Sequence, residues 1–108
     1  METYRKLLDY EKQGKTIRVG VVGAGQMGEG LVAQMEFMHG MHGYAVADIR
    51  PGRAKEVLVG ARVAAGDIVE TDDAATASQA VADGKRVATT DFSILPKVEG
   101  LDIVVEAT

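Results

Sequence analysis

The chain has 108 residues, 46% of them hydrophobic and 26% charged, with a net charge of −4, a balance that suits one globular domain with one core. It has no cysteine, which excludes disulfides, thiolate metal sites and thiol catalysis. The overall acidity argues against nucleic acid as a main partner, and no stretch approaches the roughly 20 apolar residues of a membrane span.

The chain opens with METYRKLLDYEKQGK, a charged segment without an apolar signal core, so a cytoplasmic protein is expected. Residues 2–13 read as a helix, with Tyr4, Leu7 and Leu8 on one short stripe and Gly14 at its C-terminal end. Residues 1–15 are taken as this N-terminal helix and residues 16–108 as the main domain. Thr16–Val22 is β-branched and nearly continuously apolar, as in a strand buried on both faces of a parallel sheet. Gln26 to about Met38 repeats Met27, Leu31, Met35 and Met38 at helical spacing, and Gly40 and Gly43 are expected to close that helix.

Tyr44–Ile49 reads as a second strand. Pro51 suits the first turn of a following helix over residues 52–65, where Gly60 is a weak point. Thr71-Asp72-Asp73 is a helix-start signal, a hydroxyl cap followed by acids, for a helix running to Ala82 and ended by Gly84. Val87–Thr90 and Leu101–Ala107 complete four strands. Strands alternating with helices predict an α/β, Rossmann-type doubly wound parallel sheet in the order 3-2-1-4. The chain ends at Thr108 with the fourth strand, where a covering helix would ordinarily follow. A domain truncated after that strand is therefore expected. The uncovered strand would favour self-association, so a homo-oligomer is one expectation.

The stretch VGVVGAGQMGEG, residues 19–30, contains five glycines between the first strand and its helix. Gly23, Gly25 and Gly28 have the spacing G-x-G-x-x-G in the context that motif requires. Gly23 would permit the turn out of the strand, Gly25 the approach of a pyrophosphate, and Gly28 close packing of helix on strand. The helix would point free amides and its positive end at the phosphates, with Gln26 as a donor and Met27 over the turn. Gly20 and Gly30 are assigned to packing alone.

The motif also calls for an acid about 20 residues beyond its last glycine, at the end of the second strand, and Asp48 stands there. A carboxylate accepts ribose hydroxyls and favours NAD. Arg50 and Arg53 lie two and five residues beyond it in the basic run of residues 50–62, and guanidinium groups suit the extra phosphate of NADP. The cofactor is left as NADP or NAD, and a solvated position at a helix start is the other reading of Arg53. Ala107 and Thr108, beside the first strand in the expected order, would face the nicotinamide half.

Other candidates carry less. His39 and His42 lack cysteine or nearby acids in the sequence, a poor zinc set, and no metal site is assigned. The methionines at 27, 35, 38 and 41 read as core filler. Glu70, Asp72 and Asp73 fit a helix cap and first turn better than a catalytic carboxylate pair. Thr89, Thr90 and Asp91 read as a turn, with an adenine contact as the other reading. No complete catalytic constellation is present, so no catalytic residue is assigned.

With IRVGVVGAGQMGEG, ADIRP, DFSIL and DIVVEAT, nearly the whole chain resembles the N-terminal cofactor domain of the homoserine dehydrogenase-like oxidoreductases. The resemblance is closer to the branch whose longer members carry a SAF domain, which includes deoxyxylulose phosphate reductoisomerase-like enzymes. It implies NAD(P) binding at Gly23, Ala24, Gly25, Gln26, Met27 and Gly28, ribose contacts from Asp48 and Arg50, and cofactor contacts from Ala107 and Thr108. It implies a catalytic lysine and acids in a downstream domain that also binds a small-molecule substrate. The expectation is the cofactor domain of an NAD(P)-dependent oxidoreductase acting on a small hydroxy or carbonyl metabolite, inactive as 108 residues alone. A non-catalytic NAD(P)(H)-sensing module and a Rossmann domain that binds nothing are the competing readings.

Overall fold

The computed structural model describes residues 2–108; the side chains of Glu2 and Tyr4, and with Tyr4 one member of the first helix's expected stripe, lie outside the described residues. Helix α1 spans Glu2–Lys12 and is followed by strand β1, Ile17–Val22. Helix α2 spans Gln26–Glu36, strand β2 Met41–Ala47, helix α3 Arg53–Gly60 and strand β3 Ile68–Glu70. Helix α4 spans Ala74–Ala82, strand β4 Arg86–Thr89 and strand β5 Ile103–Glu106. Short 3-10 turns lie at Ala65–Asp67 and Phe92–Lys97.

All pairings are parallel, and the sheet runs β3-β4-β2-β1-β5. This is a doubly wound α/β sheet with Rossmann-like topology. The four expected strands keep their expected neighbours. The correction is a fifth strand, β3, added outside β4. At three residues, none of them fully buried, it carries too short a pattern to stand out in sequence.

Alternation along β2 explains why its buried end, Ala45–Ala47, is apolar at every position. Val46 faces Val32, Met35, Val57 and Leu58 from α2 and α3, whereas Ala45 and Ala47 face Ala77, Val81, Ile94 and Leu95 from α4 and the second 3-10 turn. A strand covered on both faces has no polar side to show. No helix among the described residues is long and apolar enough to cross a membrane.

Several boundaries move. Strand β2 begins at Met41, not Tyr44, so Gly43 lies inside the strand instead of closing α2. A Cβ at Gly43 would sit in ordinary contact with Met35 and Val32 of α2, which pack over this position. Pro51 sits in the turn before α3, whose N-cap is Gly52. The cap of α4 is Asp73, which accepts from the Thr76 amide at 2.9 Å, not Thr71. Gly20 does serve packing: an added Cβ would meet Leu101 Cδ1 at 3.1 Å, Val104 Cγ2 at 3.5 Å and Leu95 Cδ1 at 3.6 Å. Gly30 is exposed with nothing within 4 Å of an added Cβ, so no packing demand explains it.

Candidate functional site

The carboxyl ends of β1, β2 and β5 open onto a cleft of about 460 Å³. It is lined by Gly23, Gly25, Gln26, Met27, Asp48, Ile49, Arg50, Ala107 and Thr108. Eight of those nine residues are ones the sequence singles out; Ile49, 78% exposed, is the addition. Ala24 and Gly28 are buried behind this lining.

The glycine loop is built by three different constraints. Gly23 has φ +95°, a left-handed conformation that favours glycine, and its amide donates to Ala47 O at 2.8 Å. A Cβ at Gly28 would fall 1.8 Å from Gly23 O, so α2 crosses the loop at a distance only glycine allows. Gly25 is different. Its φ of −76° and ψ of −166° are open to other residues, and an added Cβ would find nothing within 4 Å. The protein itself makes no demand for glycine there; the space beside it lies in the cleft. Gly25 is also the N-cap of α2 and offers no side-chain cap, so the first amides of the helix have no side-chain acceptor there.

Asp48 follows β2 directly and is held by four hydrogen bonds. Its Oδ2 accepts from the Ala24 amide at 2.8 Å and from Arg50 Nη2 at 2.9 Å. Its Oδ1 accepts from the Arg50 amide and from Arg50 Nε, both at 2.9 Å. The Arg50 side chain first, and then the Arg50 and Ala24 amides, hold the Asp48 carboxyl well below its ordinary value against the opposing effect of burial. The Asp48 side chain is 7% exposed and that of Arg50 59%.

Arg53 turns the other way. Its Nε donates to Ala24 O at 2.7 Å and its Nη2 pairs with Glu29 on α2. It is a brace between α3 and the glycine loop, neither a solvated residue nor one of the cleft's lining groups. Spacing alone could not separate Arg50 from Arg53, because the direction of each depends on the turn before α3.

Ala107 donates its amide to Val22 O at 2.8 Å and is buried; Thr108 Oγ1 donates to Glu106 Oε1 at 3.0 Å. Met27 is 73% exposed at the mouth of the cleft, so the core-filler reading fails for it. Met35 is buried, and Met38 and Met41 pack on the core as that reading expects.

The end of β4 is fixed by an acid the sequence assigns to a helix start. Asp72 accepts from Thr89 Oγ1 at 2.6 Å, Thr90 Oγ1 at 2.7 Å and the Thr90 amide at 2.8 Å. Those donors pull its pKa down to about 2. Asp91 caps the following 3-10 turn by accepting from Ser93, so Thr89-Thr90-Asp91 is a turn with its polar groups engaged. Acids do stand near the histidines, contrary to the sequence reading. His39 Nδ1 lies 2.8 Å from Glu11 Oε1, and His42 Nδ1 3.9 Å from Glu36 Oε1. No group of three or more His, Asp or Glu among the described residues is arranged to hold a metal ion.

Site and sheet together define a Rossmann-like parallel α/β domain with a glycine loop at its carboxyl edge. Compared with models of known families and with curated proteins, the chain matches none.

Proposed function

We propose that this chain is the NAD(P)-binding part of an oxidoreductase that moves a hydride between nicotinamide and a small hydroxy or carbonyl metabolite. The observation that carries the reading is Gly25. It is the one motif glycine that neither backbone conformation nor internal packing requires, and its empty side faces the cleft at the uncapped start of α2. A pyrophosphate approaching the backbone needs that space, and the amides and positive helix end favour its charge. The residues that fit the cofactor are the loop of residues 23–28 for the pyrophosphate, the Asp48–Arg50 pair for the adenosine ribose, and Ala107 and Thr108 toward the nicotinamide. The cofactor supplies the hydride; these residues bind and orient it. On the resemblance to homoserine dehydrogenase-like enzymes, the groups acting on substrate belong to a downstream domain.

The test pairs binding with stability. Gly25→Val should abolish binding of NADPH and NADH by calorimetry while leaving the thermal midpoint nearly unchanged. Retained binding in that variant would remove the main support for a dinucleotide site.

A further inference from the structure

We infer that the second-strand position of this cleft takes a phosphorylated ribose, and that Arg50, held in place by Asp48, selects NADP(H) over NAD(H). This deepens the dinucleotide reading and rests on it.

A ribose that is not phosphorylated needs an acceptor for its hydroxyls, and Asp48 is the acid at that position. A carboxylate offers about four lone-pair sites. In Asp48 all four are filled, three of them by Arg50 and one by the Ala24 amide. The acid is therefore engaged in shaping the loop and fixing the arginine. For a ribose hydroxyl to reach Asp48, the two-point Arg50 contact would have to open.

A phosphate needs no such opening. The guanidinium carries five N–H donors in a planar fork. Nε and Nη2 are spent on Asp48, whereas Nη1 makes no hydrogen bond among the described residues. Arg50 also borders both the cleft and an adjoining cavity of about 210 Å³. The acids of that cavity are already engaged. Glu70 pairs with Lys55 at 3.5 Å, and Asp72 is taken by Thr89 and Thr90. The Asp48 charge, which would repel a 2′-phosphate, is covered by the guanidinium. Asp48 is thus a positioning residue for Arg50, and Arg50 is the group that touches the phosphate.

The experiment titrates the chain with NADPH, NADH, 2′,5′-ADP and 5′-AMP, in wild type and in Arg50→Gln, Arg50→Lys and Asp48→Asn. Wild type should bind NADPH at least about ten-fold tighter than NADH, and 2′,5′-ADP tighter than 5′-AMP, the loss expected for one charge-assisted contact. Arg50→Gln should erase that preference by weakening NADPH at least about ten-fold more than NADH. Arg50→Lys should keep part of the preference. Asp48→Asn should also lower the NADPH-to-NADH ratio, because Arg50 is no longer held. An acid that served the ribose directly would show the opposite, a selective loss of NADH in Asp48→Asn, and that result would overturn the inference. So would equal binding of NADH and NADPH by wild type with Gly25→Val abolishing both, an outcome that leaves the dinucleotide reading standing. Binding of neither cofactor by folded wild type would remove both.

Discussion

A Cβ placed on Gly28 would lie 1.8 Å from the carbonyl oxygen of Gly23. The obstacle is backbone on both sides, so no side-chain rotation can relieve it. Gly28→Ala should therefore destabilise the chain by more than about 3 kcal/mol, the range of severe overpacking, with α2 forced off the loop. Two residues along the same helix, Gly30→Ala should do the reverse. That glycine is exposed with open space around an added Cβ, and the substitution should stabilise by about 0.5–1 kcal/mol. Urea denaturation of the two variants checks both signs. A Gly28→Ala protein as stable as wild type would contradict the close crossing.

How much of this was legible beforehand follows from where each signal resides. The glycine loop, Asp48 and the neighbours of β1 and β2 could be read because each rests on local sequence: motif spacing, and apolar runs from strands buried on both faces. Strand β3 could not, since Ile68-Val69-Glu70 gains its pairing only by lying beside β4. Gly43 differs from its expected role for a related reason. A glycine after a helix looks like a stop until Met35 and Val32 are seen to pack over it. The path of Arg53 is likewise decided by partners distant in sequence, Ala24 and Glu29, whereas Arg50 turns back to its near neighbour Asp48. In Thr71-Asp72-Asp73 all three residues can cap, and the arrival of Thr89 and Thr90 takes Asp72 out of the choice.

The Asp72 carboxylate gives a pH prediction. Its folded value of about 2 lies below the ordinary aspartate value of 3.8 because Thr89 and Thr90 donate to the ionised form. A depressed folded pKa means that the unfolded chain binds the proton first as pH falls. The stabilisation is fully present above about pH 4 and lost progressively as pH falls through about 2. Asp72→Asn should lower the thermal midpoint at pH 7 and flatten its dependence between pH 4 and 2. Thr89→Val should move both readings the same way by a smaller amount. A melting profile in Asp72→Asn as steep as wild type across that window would mean that the Thr89–Thr90 contacts do not discriminate between the two protonation states.

Asp48 titrates in the same direction, held down first by Arg50 and then by backbone amides. Its contribution should also be lost as pH falls below the ordinary aspartate range. Arg50→Gln removes the largest of those causes, so the variant should lose stability at a higher pH than wild type during acid titration. Carboxyl chemical shifts followed by NMR would check it directly: the Asp48 midpoint should rise in Arg50→Gln and stay unmoved in Arg53→Gln, since Arg53 contacts Ala24 and Glu29 instead.

The opposite edge of the sheet offers a test of packing by charge. Strand β1 and β2 slip register after Val19 and Gly43, so that Gly20 pairs with Ala45 and Tyr44 is left as the extra residue. Two guanidinium groups lie over the Tyr44 ring, Arg18 at 5.2 Å and Arg86 at 4.6 Å from its centre. Arg86 also donates to Gly43 O at 3.0 Å and pairs with Glu36 on α2, with both side chains largely buried. One arginine thus fastens α2, the bulge and β4. Arg86→Met should destabilise by about 2–4 kcal/mol, because it leaves the Glu36 charge without its partner as well as removing the stack. Arg86→Lys should lose about half as much, since an ammonium keeps the charge but not the planar fork. In a double-mutant cycle with Glu36→Gln, the coupling should exceed about 1 kcal/mol. Additive effects would mean that Arg86 acts through Tyr44 and Gly43 alone, and that α2 is held to the sheet by its apolar face without help from this pair.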